Sequence, residues 1–255
     1  RVRPTGRLYR WAAALEILQD FILIHDDLVD AGTLRRTGAA LQYALAALSG
    51  QDLRRGSALA LVFGDVLFAF GLKKFLTIAA NPKDKERALA VLLDTAVLTG
   101  LGEMNDVQFD IFDSRLTRED IYTMYDKKTG YYSFVLPLVA GAILAGQSGR
   151  EIKKLTALGL ALGRAFQLAD DLLDVTPSST STGKTAHSDV HMSKATLIAH
   201  AAYQAASPAE RSRMQRIFAK RKKTATDIAY LQGLYRRVGA LARVRQEIDR
   251  YTGIA

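Results

Sequence analysis

Apolar residues recur along this chain with a helical period, and the elements follow from where that period breaks. Trp11–Val29 reads W-A-A-A-L-E-I-L-Q-D-F-I-L-I-H-D-D-L-V, apolar nearly all round, which predicts a helix inside the protein. The same period predicts helices over Leu53–Leu76, Lys85–Phe112, Arg118–Lys128, Tyr131–Ala145 and Arg150–Val175, then Ala195–Ala206, Pro208–Arg221, Thr224–Arg237 and Val238–Tyr251. Breaks are expected at Asn81-Pro82, Ser114, Gly130, Gln147-Ser148-Gly149 and the polar stretch Thr176–Lys184. No alternating run long enough for a sheet occurs, and no fixed-period repeat. With short connections and only 5 Pro, the expectation is an all-α fold: one large helical bundle forming a single domain over 1–255. The chain opens on Arg1 without an initiator Met, so that domain is expected to continue upstream. The strongest apolar runs, Ser57–Gly71 and Phe134–Gly146, are interrupted by Asp65 and Pro137; they are too short to span a bilayer and read as buried helices.

Composition changes this picture in two ways. The chain has 255 residues, 49% of them hydrophobic, which is enough to build a core without covalent staples; the absence of Cys excludes disulfide frameworks, thiolate metal sites and cysteine nucleophiles. Lys and Arg number 35 against 26 Asp and Glu, a net +9, which invites nucleic acid, an anionic membrane or a phosphorylated substrate. Residues 211–250 hold twelve of the basic residues against Asp227, Glu247 and Asp249, so this one segment carries the whole excess. It reads as a solvated face, with contact to anionic lipid as the alternative; no nucleic-acid reader motif accompanies it.

Two carboxylate clusters carry the candidate chemistry. Asp26, Asp27 and Asp30 end one apolar helix, and Asp170, Asp171 and Asp174 end another, both with the spacing i, i+1, i+4. Residues i and i+4 lie one turn apart on one helix face, so each cluster gathers like charges where the helix dipole is also negative. Something cationic must compensate. One such motif could be a solvated helix end, but two, each behind an apolar helix, point to a hard divalent cation. Oxygen-only ligands suit Mg²⁺ or Mn²⁺, and two clusters facing each other could clamp a diphosphate through several ions. A di-iron carboxylate bundle fails, since none of His25, His187, His191 and His200 has a Glu three residues before it. Basic residues stand where a metal-held anion needs them: Arg35 and Arg36, Lys128, Lys184 and Lys194.

The ordered set L-Q-D-F-I-L-I-H-D-D-L-V-D…R-R, G-D, K-T-G-Y-Y-S-F-V-L-P, F-Q-L-A-D-D-L-L-D, G-K and S-D-V-H-M-S-K-A-T-L resembles the trans-type isoprenyl diphosphate synthases, or polyprenyl synthetases. The resemblance implies the isoprenoid synthase fold around a central active-site cavity, about three Mg²⁺ per site, a homodimer and a cytoplasmic enzyme. It implies that the six aspartates bind an allylic diphosphate through metal, and that Arg35, Lys128 and Lys184 contact the same diphosphate, with Lys194 beside them. Arg3, Gln19 and Arg36 match the isopentenyl diphosphate site. Thr129 and Gln167 resemble the polar groups lining the reacting carbons. Phe21 and Ile22, five and four residues before Asp26, match the positions that set product length, and a bulky aromatic before a smaller residue implies geranylgeranyl diphosphate, with farnesyl diphosphate second. The Asp170 cluster and the Arg35-Arg36 pair argue against a class I terpene cyclase, and survival of both Asp motifs argues against a non-catalytic prenyl synthase subunit.

Overall fold

The structure, a computed structural model, describes residues 6–35, 38–176 and 187–254. It is all-α, as expected: the strands among the described residues are the two-residue pair β1 (Leu34–Arg35) and β2 (Gly38–Ala39), antiparallel with Leu34 opposite Ala39. The helices are α1 (Gly6–Val29), α2 (Leu41–Leu48), α3 (Leu53–Leu76), α4 (Pro82–Gln108), α5 (Arg118–Tyr125), α6 (Leu136–Leu144) and α7 (Gly149–Val175). They continue as α8 (Ser188–Met192), α9 (Leu197–Ala205), α10 (Pro208–Phe218), α11 (Ala225–Arg237) and α12 (Ala240–Ile254), and a π-helical segment spans Asp126–Val135. The described residues fall into two compact units.

The first unit holds α1 to α3, the start of α4, α6 and the start of α7. Here α1 lies along α3 through glycines: a Cβ on Gly64 would stand 2.4 Å from His25 Nε2, and one on Gly71 2.8 Å from Leu18 Cγ. Trp11 meets Phe75 edge to face, with ring centroids 5.6 Å apart. The expectation that Ser57–Gly71 is buried does not hold. On α3 only a narrow line containing Gly56, Ala60, Gly64, Gly71 and Phe75 is buried, while Leu59, Val62, Phe63, Val66 and Phe70 are exposed. Similarly α1, apolar all round, buries Trp11, Ala14, Leu18 and Asp27 and leaves most of its length half-exposed. Phe134–Gly146 fares as expected, since Leu136, Val139, Ala140, Ile143 and Leu144 are buried.

The second unit contains the rest of α4, α5, the π segment, most of α7 and α8 to α12. Its core gathers Ile121, Tyr122, Leu168, Ile198, Met214, Leu231 and Leu234, all nearly inaccessible. Its helix starts are locally encoded: Thr117, Ser207 and Thr224 each form a reciprocal capping box with the acid three residues on. The expected break at Gly130 does not occur. The chain runs on from α5 to α6 through the π segment, because a glycine is needed there for close packing and not for a turn: a Cβ on Gly163 of α7 would lie 2.4 Å from the Gly130 Cα. Helix α4 ends at Gln108, before the expected Phe112, where Asp110 and Asp113 accept from the backbone N–H groups of Phe112 and Arg115.

Among the described residues, α4 is also the one helix long and apolar enough, by composition, to cross a membrane, a distinction the sequence pattern had denied to every segment. Its exposed residues Leu93, Val97, Leu101, Met104 and Val107 recur at steps of three and four and form one apolar stripe.

Candidate active site

The first aspartate cluster is fixed by how α1 ends. Ala31 adopts φ +49°, the Gly32 N–H bonds the Asp27 carbonyl at 2.9 Å, and the Asp30 N–H bonds that of Asp26 at 2.9 Å. Buried Gln42 of α2 donates through Nε2 to the carbonyls of Asp27 (3.0 Å) and Gly32 (2.8 Å), which satisfies groups the helix end leaves open. Gly32 leaves room for that carboxylate: a Cβ there would sit 2.7 Å from Asp27 Oδ1 and push the side chain aside. The compensating cation is Arg35. Its Nε and Nη2 donate to Asp27 at 2.9 and 2.5 Å, and Nη2 also to Asp26 at 2.8 Å. Although burial opposes the charge, Asp27 and then Asp26 hold the Arg35 guanidinium above its ordinary pKa. Farther back on α1, Phe21 lies against His25 and against Phe68 of α3, with centroids 4.8 and 5.0 Å apart. Ile22 and Gln19 are half-buried on the same helix.

In the second unit the π segment is clamped between α4 and α7. On one side Gly102 of α4 admits the backbone of Lys127–Lys128, where a Cβ would stand 2.3 Å from the Lys128 nitrogen. On the other, Gly163 meets Gly130, a Cβ on Gly159 would stand 3.0 Å from the Val135 Cα, and Arg164 holds Asp126 through two hydrogen bonds of 2.8 and 2.6 Å. This placement lays Lys128 over α4: its Nζ pairs with Glu103 at 2.9 Å and Asp106 at 2.7 Å. Lys194, buried between α8 and α9, contacts the same Asp106 oxygen, Oδ2. Burial alone would raise the Asp106 carboxyl, but the Lys128 and Lys194 charges outweigh it and hold it below the usual carboxylate range.

A second chain of contacts starts one residue on. Thr129 Oγ1 donates to Gln167 Oε1 at 2.7 Å, and Gln167 Nε2 donates to Asp171 Oδ1 at 2.8 Å. The Tyr125 hydroxyl donates to Asp171 Oδ2 and accepts from the Leu197 N–H at 2.8 Å. Asp171 is therefore a buried hub with both oxygens engaged, and burial pushes its carboxyl up to about 7 against the pull of those hydrogen bonds. Asp174 caps α8, accepting from the Ser188 N–H and hydroxyl at 2.8 and 3.0 Å. Burial also raises Asp174, and raises Asp189 well above the ordinary range, with the charges of Asp171 and Asp174 adding to it. Asp170 lies half-buried on the same turn of α7. In each cluster the middle aspartate is buried and the outer two are half-buried, and Asp26 and Asp174 also accept from protein donors.

Of the residues singled out in the sequence, Asp26, Asp27 and Arg35 are brought together in one unit, and Lys128, Thr129, Gln167, Asp171 and Lys194 are tied into networks in the other. Arg3, Arg36 and Lys184 lie outside the described residues. Sequence reasoning missed Glu103, Asp106, Tyr125 and Gln42. The pair Glu103 and Asp106, three apart on a long apolar helix and behind Gly102, carried the same signal as the aspartate clusters and could have been found by it.

The family model of polyprenyl synthetases matches residues 3–235. Among curated proteins, the short chain isoprenyl diphosphate synthase of Methanothermobacter thermautotrophicus is 35% identical over 205 residues, which are 80% of this chain and 58% of that protein. The geranylfarnesyl diphosphate synthase of Natronomonas pharaonis is 33% identical over 187 residues, 73% of this chain and 51% of that one. This chain thus spans little more than half the length of these relatives. Among solved structures, the geranylgeranyl pyrophosphate synthase of Corynebacterium glutamicum, complexed with isoprenyl diphosphate and magnesium, superposes with a TM-score of 0.88 at 26% identity, covering 98% of this chain and 72% of that one.

Proposed function

Because this chain belongs to the polyprenyl synthetase family, we propose that it is a trans-prenyltransferase that condenses isopentenyl diphosphate with an allylic diphosphate. One family model runs across both compact units, which supports reading them as a single synthase domain. The observation that carries the activity is the π segment, which sets Lys128 and Thr129 of one K-T motif on two polar networks, one ending at Lys194 and the other at Asp171.

The donor chemistry of both aspartate clusters fits a hard cation, since each offers only carboxylate oxygen and the chain has no Cys. Asp26, Asp27, Asp30, Asp170, Asp171 and Asp174 would hold Mg²⁺, with Mn²⁺ as its substitute and about three ions per site; Arg35 orients Asp27, and Gln167 and Tyr125 orient Asp171. When bound, the metal neutralises the diphosphate charge and makes it a better leaving group. Lys128, Lys194, Lys184 and Arg35 bind the oxygens that remain. The allylic C–O bond breaks with its electron pair going to diphosphate, and fixed cations around that oxygen stabilise the charge as it develops. Isopentenyl diphosphate, held by Arg3, Gln19 and Arg36, attacks the allylic cation with its double bond. Thr129 and Gln167 line the reacting carbons, and the released diphosphate accepts the proton whose loss restores an allylic product. Apolar helix walls exclude the water that would quench the cation.

Phe21, packed on Phe68, stands at the position that limits the tail, which favours geranylgeranyl diphosphate with farnesyl diphosphate second. The exposed apolar stripes of α3 and α4 support a homodimer: side chains of this size are rarely left in water on so long a face. We place the enzyme in the cytoplasm, with no nucleic-acid partner and with the basic α10–α12 region touching anionic membrane. Incubation with Mg²⁺, labelled isopentenyl diphosphate and geranyl or farnesyl diphosphate yields a longer prenyl diphosphate, and chelation by EDTA abolishes it. A full chain that forms no longer product defeats the proposal.

A further inference from the structure

We propose that Asp106 is a positioning residue that gathers the ammonium groups of Lys128 and Lys194 into one pair, which receives the diphosphate of the allylic substrate. The inference rests on the prenyltransferase reading above and assigns a role to a residue outside both aspartate clusters. Three elements remote in sequence meet at a single oxygen: Asp106 Oδ2 of α4, Lys128 Nζ of the π segment and Lys194 Nζ from the chain between α8 and α9. Asp106 is 8% exposed and Lys194 9%, so neither is a surface ion pair.

Two ammonium groups converging in a buried place repel each other, and a buried ammonium lacking a counter-charge sheds its proton to become neutral. Asp106 removes both penalties at once. Glu103, one turn earlier, adds a second carboxylate on Lys128. An ammonium carries three N–H donors, so a contact to Asp106 and one to a phosphate oxygen are compatible on the same nitrogen. The carboxylate therefore offsets the repulsion between the two ammonium groups and fixes the direction of both, which a bidentate anion such as diphosphate requires. Gly102 completes the device, because without its bare Cα the Lys127–Lys128 backbone could not approach α4. Glu103 pairs with Lys128 from a more open position, its side chain 21% exposed against 8% for Asp106, so its share is smaller.

The test uses the full chain with Mg²⁺ and measures KM for the allylic and isopentenyl substrates separately, alongside Mg²⁺-dependent binding of inorganic pyrophosphate by calorimetry. Asp106→Asn is expected to raise the allylic KM and the pyrophosphate Kd at least tenfold while the isopentenyl KM moves less than twofold, and Glu103→Gln to shift the allylic KM less. On a Lys194→Ala background, Asp106→Asn is expected to cost less than it does in the wild type, since one of its two partners is gone and only Lys128 is left to position. Where Asp106→Asn does not fold, Asp106→Glu keeps the charge but displaces it by a methylene, with an expected threefold or greater rise confined to the allylic side. Equal changes in both KM values, a fall in kcat alone, or full additivity with Lys194→Ala overturns the positioning role. A wild-type chain that binds pyrophosphate and shows these shifts in Kd, yet makes no prenyl product, defeats the activity and leaves the positioning role standing.

Discussion

A Cβ on Gly163 would stand 2.4 Å from the Cα of Gly130, so α7 and the π segment touch backbone to backbone. That approach sets the 2.7 Å hydrogen bond between Thr129 and Gln167. Gly163→Ala forces the two apart and is expected to destabilise the fold by about 1–3 kcal/mol, the usual cost of overpacking, and to lower prenyl transfer at least tenfold. Gly102→Ala, which would clash with the Lys128 nitrogen, behaves alike. Gly100, with open space at its Cβ position on the same helix α4, gives the opposite sign: Gly100→Ala stabilises by about 0.5–1 kcal/mol through helix propensity. Urea unfolding of the three variants checks the order, and equal losses in all three would remove the packing explanation.

Arg35 ties Asp26 to Asp27, and Asp27 is 6% exposed. Arg35→Gln leaves a buried carboxylate without its partner, at a cost of about 3 kcal/mol, the low end for breaking a buried pair because the arginine is still partly solvated. A divalent cation on the same aspartates replaces the lost charge. Added Mg²⁺ should therefore raise the Tm of Arg35→Gln by more than it raises the wild type's. Thermal melts with Mg²⁺ and with EDTA read this difference, and an equal Mg²⁺ increment in both proteins contradicts it.

Much of this site was legible because its chemistry is written in local spacing. Asp26/Asp30 and Asp170/Asp174 announce themselves as like charges one turn apart, and the helices that carry them follow from apolar period alone. What was not legible depends on contacts distant in sequence. Gly130 reads as a helix stop, since the reason for a glycine there sits 33 residues away at Gly163. Arg35 reads as a substrate cation, but its hydrogen bonds to Asp26 and Asp27, nine and eight residues back across the turn that ends α1, are not announced by any helical spacing. The exposure of α3 was hidden for a related reason: period shows that a face is apolar, not whether this chain or a second copy covers it.

Product length offers a prediction in unit one. Phe21 packs on Phe68 at 5.0 Å, so the ring that would block a growing tail is itself held by a second ring. Phe21→Ala opens that floor and should shift products from twenty carbons toward longer chains. Phe68→Ala, by freeing the Phe21 ring to turn aside, should give a smaller shift in the same direction. Reverse-phase chromatography of dephosphorylated products separates the lengths. Unchanged products from Phe21→Ala would show that the ring is only core.

The excess charge of residues 211–250 calls for the last test. Arg213, Arg216 and Lys220 are exposed around a cleft of about 390 Å³ at α10, and Arg236 and Arg245 border another of about 450 Å³ with Leu172, Leu173 and Leu241. Each Lys or Arg near an anionic bilayer contributes about 1 kcal/mol, and the attraction fades within a Debye length, about 8 Å at physiological salt. Sedimentation with phosphatidylserine vesicles should therefore exceed that with phosphatidylcholine vesicles at low salt and collapse toward it as salt rises. Arg236→Ala combined with Arg245→Ala should lower it, while prenyl transfer in solution stays unchanged because neither arginine belongs to the diphosphate site. Equal sedimentation with neutral and anionic vesicles at low salt would leave the basic helices as a solvated face and nothing more.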